Sequence, residues 1–303
     1  MCEERKDNAM AASARPRRSV LYMPGSNARA LEKARSLPAD AVILDLEDAV
    51  APDAKELARA QIAAAVQAGG YGRRELIVRI NGLDTPWGRD DLAAVATCGA
   101  DAILLPKVES AAMVEALERH MVEAGAPAET AIMCMMETPL GMLRAAEVAA
   151  ASARITCLVM GTSDLVKDLH ASHTEARLPV LTSLGLCLLA ARGHGLAILD
   201  GVHLDLGDAE GFANACVQGM ELGFDGKTLI HPKQIATANE VFAPSPDEVA
   251  FSHRIIEAHA QAAEEGRGVV VVDGKLIENL HVENAKRLVA LAEAIESLQV
   301  AAE

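Results

Sequence analysis

Residues 131–164 read AIMCMMETPLGMLRAAEVAAASARITCLVMGTSD, and this stretch decides the fold. Two short apolar runs, AIMCMM (131–136) and ITCLVM (155–160), flank GMLRAAEVAAAS (141–152), whose apolar residues recur near the i, i+3, i+4 spacing of a helix. The runs are apolar throughout and do not alternate, which predicts strands buried on both faces of a parallel sheet. Each is followed closely by an acid, Glu137 after the first and Asp164 after the second. A carboxylate at the end of a buried strand is costly to place unless something there needs negative charge. Two of them at successive strand ends point to a hard divalent cation held by oxygen ligands, with Mg2+ the best match. The competing reading is that one or both cap the helix that follows or pair with an arginine.

Working outward, the same unit recurs along the chain. Candidate strands are Ser19–Met23, Ala41–Leu44, Leu76–Ile80, Ala102–Leu105, Ala131–Met136, Ile155–Met160, Leu196–Leu199 and Thr228–Ile230. Helical patterns lie between them, and several end at Gly, as a helix C′ position prefers. Eight such repeats predict an α/β fold, a (β/α)8 TIM barrel, in preference to an open doubly wound sheet. The GxGxxG fingerprint of a dinucleotide-binding sheet is absent after the first strand. Polar and turn-forming clusters follow the strands: PGSN (24–27), DLED (45–48), RIN (79–81), PKVE (106–109), ET (137–138), GTSD (161–164), DG (200–201) and HP (231–232). Barrel enzymes keep their sites at these carboxyl ends.

The pattern changes past Ile235. PSPDEV (244–249) leads into a helix, GVVVVDGKLIE (268–278) reads as a short β-like unit, and NAKRLVALAEAIESL (284–298) as a final helix. The expected organisation is a flexible tail over 1–17, a catalytic barrel over 18–242 and a C-terminal helical lid or oligomerisation arm over 243–303. Such an arm invites packing on a neighbouring subunit.

Composition narrows the function. Apolar residues make up 51% of the 303 residues and aromatics only 2%, so the core is aliphatic. The formal charge of −15 argues against broad nucleic-acid or anionic-membrane binding. Residues 1–18 lack an apolar h-region and are expected to fray, and no run reaches membrane-helix length without polar breaks. Six scattered cysteines with no CxxC pair fit a reduced, cytoplasmic protein.

Other residues carry readings of their own. Arg79 ends the third strand, where a planar guanidinium suits a bidentate carboxylate; the alternative is a structural pair with Glu47 or Asp48 of DLED, and those acids suit a supporting role behind Arg79. The turn PGSNARALEK (24–33) offers free N–H groups at a helix start near Arg29 and Lys33, which favours phosphate. Lys107 suits either a ligand contact or a neighbouring carboxylate. DLHASH (168–173) is not read as a zinc site, because no Cys or carboxylate set accompanies His170 and His173. His231 is read as closing the last barrel turn with Pro232.

Together these motifs resemble the citrate lyase β-subunit-like family of the HpcH/HpaI aldolase superfamily. The likeness runs from about Arg18 to the C-terminus through RSVLYMPGSNARALEKA, VILDLEDAVAPDAK, VRINGLDTPWGRDDL, ILLPKVES, METPLGML, LVMGTSDLVKDL, DGVHLDLGDAEGF, GFDGKTLIHPKQI and VVDGKLIE. The resemblance implies a TIM barrel with a C-terminal lid, a homotrimer or hexamer with lids exchanged between subunits, and a Mg2+-dependent carbon–carbon lyase. Its partners would be an acyl-CoA thioester, such as malyl-CoA or citramalyl-CoA, and a small 2-oxo acid.

By the same resemblance Glu137 and Asp164 are the metal pair, Arg79 grips the oxo acid with Glu47 and Asp48 behind it, and Tyr22, Arg29 and Lys33 lie along CoA. Lids of many such lyases carry Met-Ile-Asp after a DGK-type turn, the aspartate serving a neighbouring site as acid/base. Here the matching stretch is Lys275-Leu276-Ile277-Glu278. Glu278 is therefore the expected acid/base, one methylene longer, and the alternative is an acid at a helix start. Two further functions stand beside the lyase: a malyl-CoA thioesterase with the same site, and a citrate lyase β subunit acting on citryl-acyl carrier protein.

Overall fold

Eight parallel strands close on themselves, with β1 (Ser19–Pro24) hydrogen-bonded to β2 (Ala41–Asp45) on one side and to β8 (Gly226–Leu229) on the other. Between them run β3 (Glu75–Arg79), β4 (Ala102–Leu105), β5 (Ala131–Met136), β6 (Ile155–Met160) and β7 (Ala197–Asp200), each beside its sequence neighbour. This computed structural model describes residues 15–264 and 269–300. The barrel expected from eight apolar runs is the fold observed, with strand bounds shifted by at most two residues. Of the flexible tail expected over residues 1–17, residues 1–14 lie outside the described residues.

The helices of the barrel are α1 (Ala28–Ala34), α2 (Lys55–Ala68), α3 (Gly88–Val95), α4 (Ala111–Glu123), α5 (Pro139–Leu143), α6 (Ala145–Ala150), α7 (Thr162–Asp168), α8 (Leu181–Gly193), α9 (Ala209–Leu222) and α10 (Ile235–Val241). Local chemistry starts several of them. Asn27 caps α1 by accepting from Ala30 N–H, Thr138 caps α5 with Pro139 next to it, and Asp208 caps α9. His231 caps a 3-10 turn after β8 through a capping box with Gln234.

Strand side chains alternate between two cores. Val20, Ala41, Ile43, Ile77, Ala102, Leu104, Met133, Met135, Cys157, Val159 and Leu199 fill the barrel interior. Their neighbours, among them Leu21, Val42, Leu44, Val78, Ile103, Cys134, Leu158 and Ile198, belong to the larger core beneath the helices. Both faces are apolar, hence no alternation in the sequence. The two-residue period also predicts which strand-end residues share the interior side: Tyr22, Asp45, Arg79, Glu137 and Gly161.

The opposite end of the barrel is closed by an ion pair. Arg17 Nε and Nη2 donate to the two oxygens of Glu75 at 2.5 and 2.7 Å, with both side chains 3% exposed. Arg17, assigned to the tail from sequence, is thus part of the barrel floor. Its neighbour Arg18 pairs with Asp40 at 2.8 Å.

The residues from Ala243 onward form a second unit. Helix α11 (Pro246–Glu264) and helix α12 (Asn279–Val300) bracket an antiparallel pair, β9 (Val270–Val272) and β10 (Lys275–Ile277). Asp273 and Gly274 turn between the strands with φ of 49° and 77°, the left-handed geometry of a tight hairpin. Ile255, Val272, Ile277, Val282 and Ala285 make its core. No helix among the described residues is long and apolar enough to cross a membrane.

Candidate active site

The strand ends of β2 and β3 build a cradle around one arginine. Asp45 and Arg79 are register partners on adjacent strands. Arg79 Nε donates to Asp45 Oδ1 at 2.7 Å and Nη2 to Oδ2 at 2.6 Å. Its Nη1 lies 2.7 Å from Glu47 Oε2 and contacts Met135 Sδ at 3.7 Å, while Asp48 stays 3.8 Å away and largely exposed. The Tyr22 ring carries the guanidinium on its face, 4.9 Å from the ring centre. Arg79 is only 7% exposed, so its orientation is fixed by charge and stacking together.

The DLED loop that supplies these acids is itself anchored. Asp45 accepts from the N–H groups of Glu47 and Ala49. Lys55, at the start of α2, buries its ammonium against Leu46 O, Glu47 O and Asn81 Oδ1 at 2.7, 2.7 and 2.9 Å. Asn81 in turn donates to Leu46 O and to Asp91.

Glu137 follows β5 and is 2% exposed. One of its oxygens, Oε1, accepts the Lys107 backbone N–H at 2.8 Å. Gly161, at the end of β6, presses on its other side: a Cβ there would overlap Glu137 Cβ and Oε2. Burial, and next the nearby Glu47 charge, push the Glu137 carboxyl up to about 7. Asp164 sits in the first turn of α7, with Lys107 Nζ 3.8 Å from Oδ2 and Lys167 Nζ 3.7 Å from Oδ1. Lys107 Nζ also bonds Glu47 Oε1 at 2.7 Å. Burial raises the Glu47 carboxyl too, against the opposing pull of Arg79 and Lys107.

Arg79, Glu47, Lys107, Glu137 and Asp164 therefore form one connected cluster in the barrel mouth. Tyr22, expected along CoA, lies under Arg79 with its hydroxyl 3.9 Å from Met135 Sδ. Arg29 and Lys33 are exposed on α1. Glu278 is exposed in the C-terminal unit just before α12, where its N–H donates to His281 Nδ1 at 3.0 Å. Glu47, one of the two partners the sequence offers Arg79, does lie 2.7 Å from its Nη1, but the bidentate partner, Asp45, is one that sequence reasoning missed. The signal was present, since Asp45 and Arg79 both end strands that are neighbours in the barrel. Lys107, left open between ligand and carboxylate, bonds a carboxylate.

The donor set suits a hard divalent ion. Asp45, Glu47, Asp48, Glu137 and Asp164 stand against Arg79, Lys107, the buried Lys55 behind the DLED loop and the exposed Lys167 at the rim, which leaves a surplus of one negative charge. That excess of negative charge, with Glu137 desolvated, is what a divalent cation relieves. Among the described residues no group of three His, Cys, Asp or Glu is placed to form a cage that holds a metal ion by itself. Mg2+ does not require one, because it keeps waters and takes one or two carboxylates plus ligand oxygens.

Comparison with known proteins shows what the chain is similar to. The family model described as HpcH/HpaI aldolase/citrate lyase matches residues 18–232. A (3S)-malyl-CoA thioesterase of Cereibacter sphaeroides is 53% identical over 286 residues, 94% of this chain and 98% of that protein. A citrate lyase subunit beta of Escherichia coli is 37% identical, over 92% of this chain and 94% of its own length. Among solved structures, CitE from Mycobacterium tuberculosis in complex with magnesium, acetoacetate and coenzyme A superimposes with a TM-score of 0.71 at 29% identity, covering 91% of this chain and 97% of that one.

Proposed function

This chain belongs to the HpcH/HpaI aldolase/citrate lyase family, and from that premise we propose that it is a Mg2+-dependent thioesterase for a malyl-CoA-type 3-hydroxyacyl-CoA. Water adds across the acyl C–S bond, the acyl carbon keeping the hydroxyl and the sulfur taking the proton, so the products are the hydroxy acid and CoA. The observation that carries this reading is the juxtaposition of a carboxylate clamp, Arg79, with the carboxylates Glu137 and Asp164 in one barrel mouth, joined through Glu47 and Lys107. The acyl group is taken from the relatives 52–53% identical over nearly their whole length, which are named (3S)-malyl-CoA thioesterases.

In this proposal Glu137 and Asp164 hold the ion. When bound, Mg2+ supplies a Lewis-acid charge for oxygens of the malyl unit. Arg79 engages the free carboxylate of the substrate with the Nη2 hydrogen that Asp45 leaves over and the Nη1 hydrogen that otherwise rests on Met135 Sδ. Asp45 and the Tyr22 ring keep that guanidinium from turning, and the Lys107 N–H and Gly161 hold Glu137 in one orientation. Arg29 and Lys33 are the proposed phosphate contacts of CoA.

Carbon–carbon cleavage is the second reading, favoured by the family's aldolase and lyase members and by the 37% identity to citrate lyase subunit beta. It requires a carbon acid/base, for which Glu278 is the proposed group, and it extends to acyl carrier protein thioesters. Hydrolysis has no such requirement. The test is to incubate the protein with malyl-CoA and Mg2+ and identify products by mass. Malate with free CoA supports the thioesterase; acetyl-CoA with glyoxylate replaces it by the lyase; an unchanged substrate rejects both.

A further inference from the structure

Lys107 touches three of the acids in the barrel mouth, and by two different means. It follows β4 with φ of 51°, the left-handed region that side chains other than Gly seldom adopt. In that conformation its backbone N–H bonds Glu137 Oε1 at 2.8 Å, while the next N–H, of Val108, returns to Met135 O at 3.1 Å. Its ammonium goes elsewhere, 2.7 Å from Glu47 Oε1 and 3.8 Å from Asp164 Oδ2. The remaining oxygen of Glu47 faces Arg79 at 2.7 Å. A continuous line of alternating charge thus runs Arg79, Glu47, Lys107, Asp164.

We propose that Lys107 is a positioning residue that sets the divalent-ion affinity of the mouth, its main chain aiming Glu137 and its ammonium competing with the cation for Asp164. The inference rests on reading Glu137 and Asp164 as the metal pair. The physical case is one of opposing signs. A cation coordinated by Asp164 has an ammonium as a second neighbour of the same carboxylate, and like charges at such separations repel even through a high dielectric. The ammonium also neutralises Glu47, which otherwise adds to the negative field at Glu137. Both effects weaken metal binding. The backbone bond acts the other way, because a carboxylate already oriented loses less freedom when it takes up an ion. Lys107 therefore keeps the pair aligned yet holds the ion loosely enough to exchange. A lysine that only braced the loop, or only touched the ligand, would leave the affinity for the metal alone unchanged.

The experiment is calorimetric titration of the full chain with Mg2+, no substrate present, on wild type, Lys107→Met, Lys107→Gly and Lys107→Arg. Met keeps the length of the side chain without its charge. Gly removes the side chain and is at ease at a φ of 51°, so it guards against a misfolded Met variant. The expected result is Mg2+ bound roughly tenfold more tightly by both uncharged variants, with Lys107→Arg close to wild type. Equal or weaker binding by Lys107→Met and Lys107→Gly overturns the proposal for Lys107 while leaving the metal pair standing. Wild type that takes up no Mg2+ overturns the metal pair itself, and the inference with it.

Discussion

Asp45 and Arg79 end neighbouring strands in register, and two side-by-side hydrogen bonds of 2.7 and 2.6 Å join carboxylate to guanidinium. The pair is buried, Asp45 fully and Arg79 to within 7%, so neither partner can turn to water if the other is lost. A buried guanidinium with that much of its geometry prescribed is suited to receive a second planar anion.

Replacing Asp45 by Asn keeps the shape and removes the charge. Arg79 retains Glu47, so the loss stops short of an isolated buried ion; about 3 kcal/mol of stability should go. Urea denaturation measures it. A change below about 0.5 kcal/mol would show that Asp45 does not anchor Arg79.

Arg79→Lys keeps the charge and discards the fork. A lysine cannot bond Asp45 through two nitrogens and still present donors to a substrate. With the fold unchanged by circular dichroism, kcat/KM for malyl-CoA should fall about a hundredfold. Activity within threefold of wild type would remove Arg79 from the substrate.

Gly161→Ala tests the packing behind Glu137. The added methyl would overlap Glu137 Cβ and Oε2, so the carboxylate has to swing away from its bond to Lys107 N–H. Mg2+ affinity should drop about tenfold or more, with a stability cost of about 1–3 kcal/mol. Unchanged affinity in calorimetry would mean that Glu137 has room the structure does not give it.

Asp200 is buried between Lys227 Nζ at 2.7 Å and Arg177 Nη1 at 2.6 Å. Burial works to raise its carboxyl, but Lys227 and Arg177 outweigh burial and hold it below the ordinary range. A depressed folded-state value means that the unfolded chain takes up the proton first as pH falls. The stabilisation is therefore complete above the unfolded value near 3.9 and lost as pH drops through the lower folded one. Asp200→Asn should cost about 3–5 kcal/mol at pH 7, and the gap to wild type should close in strong acid. A gap that stays constant with pH would refute the assignment.

The barrel was legible because its signal is additive: eight apolar runs, each followed by a polar cluster, admit few other folds. Glu137, Asp164 and Arg79 were legible for a related reason, as charges standing where the strand pattern makes charge expensive. Asp45 was overlooked because it is one of three acids in DLED, and only the register of β2 against β3 selects it. Gly161 could not be read at all, since its role is the space it leaves beside a residue 24 positions earlier. The Asp200 cluster brings Arg177 from the loop before α8 to strands β7 and β8, a contact no local pattern encodes. Arg17 reads as one more basic residue of a polar tail until Glu75 is seen opposite it.

Two carboxylates and an ion carry the proposed chemistry, and release of CoA thiol from malyl-CoA tests it most directly. Wild type should release thiol with Mg2+ present and lose the activity in chelator, and Glu137→Gln, folded and at the same Mg2+, should be slower by about a hundredfold or more. Thiol release by wild type that survives chelation, or by Glu137→Gln at the wild-type rate, would contradict it.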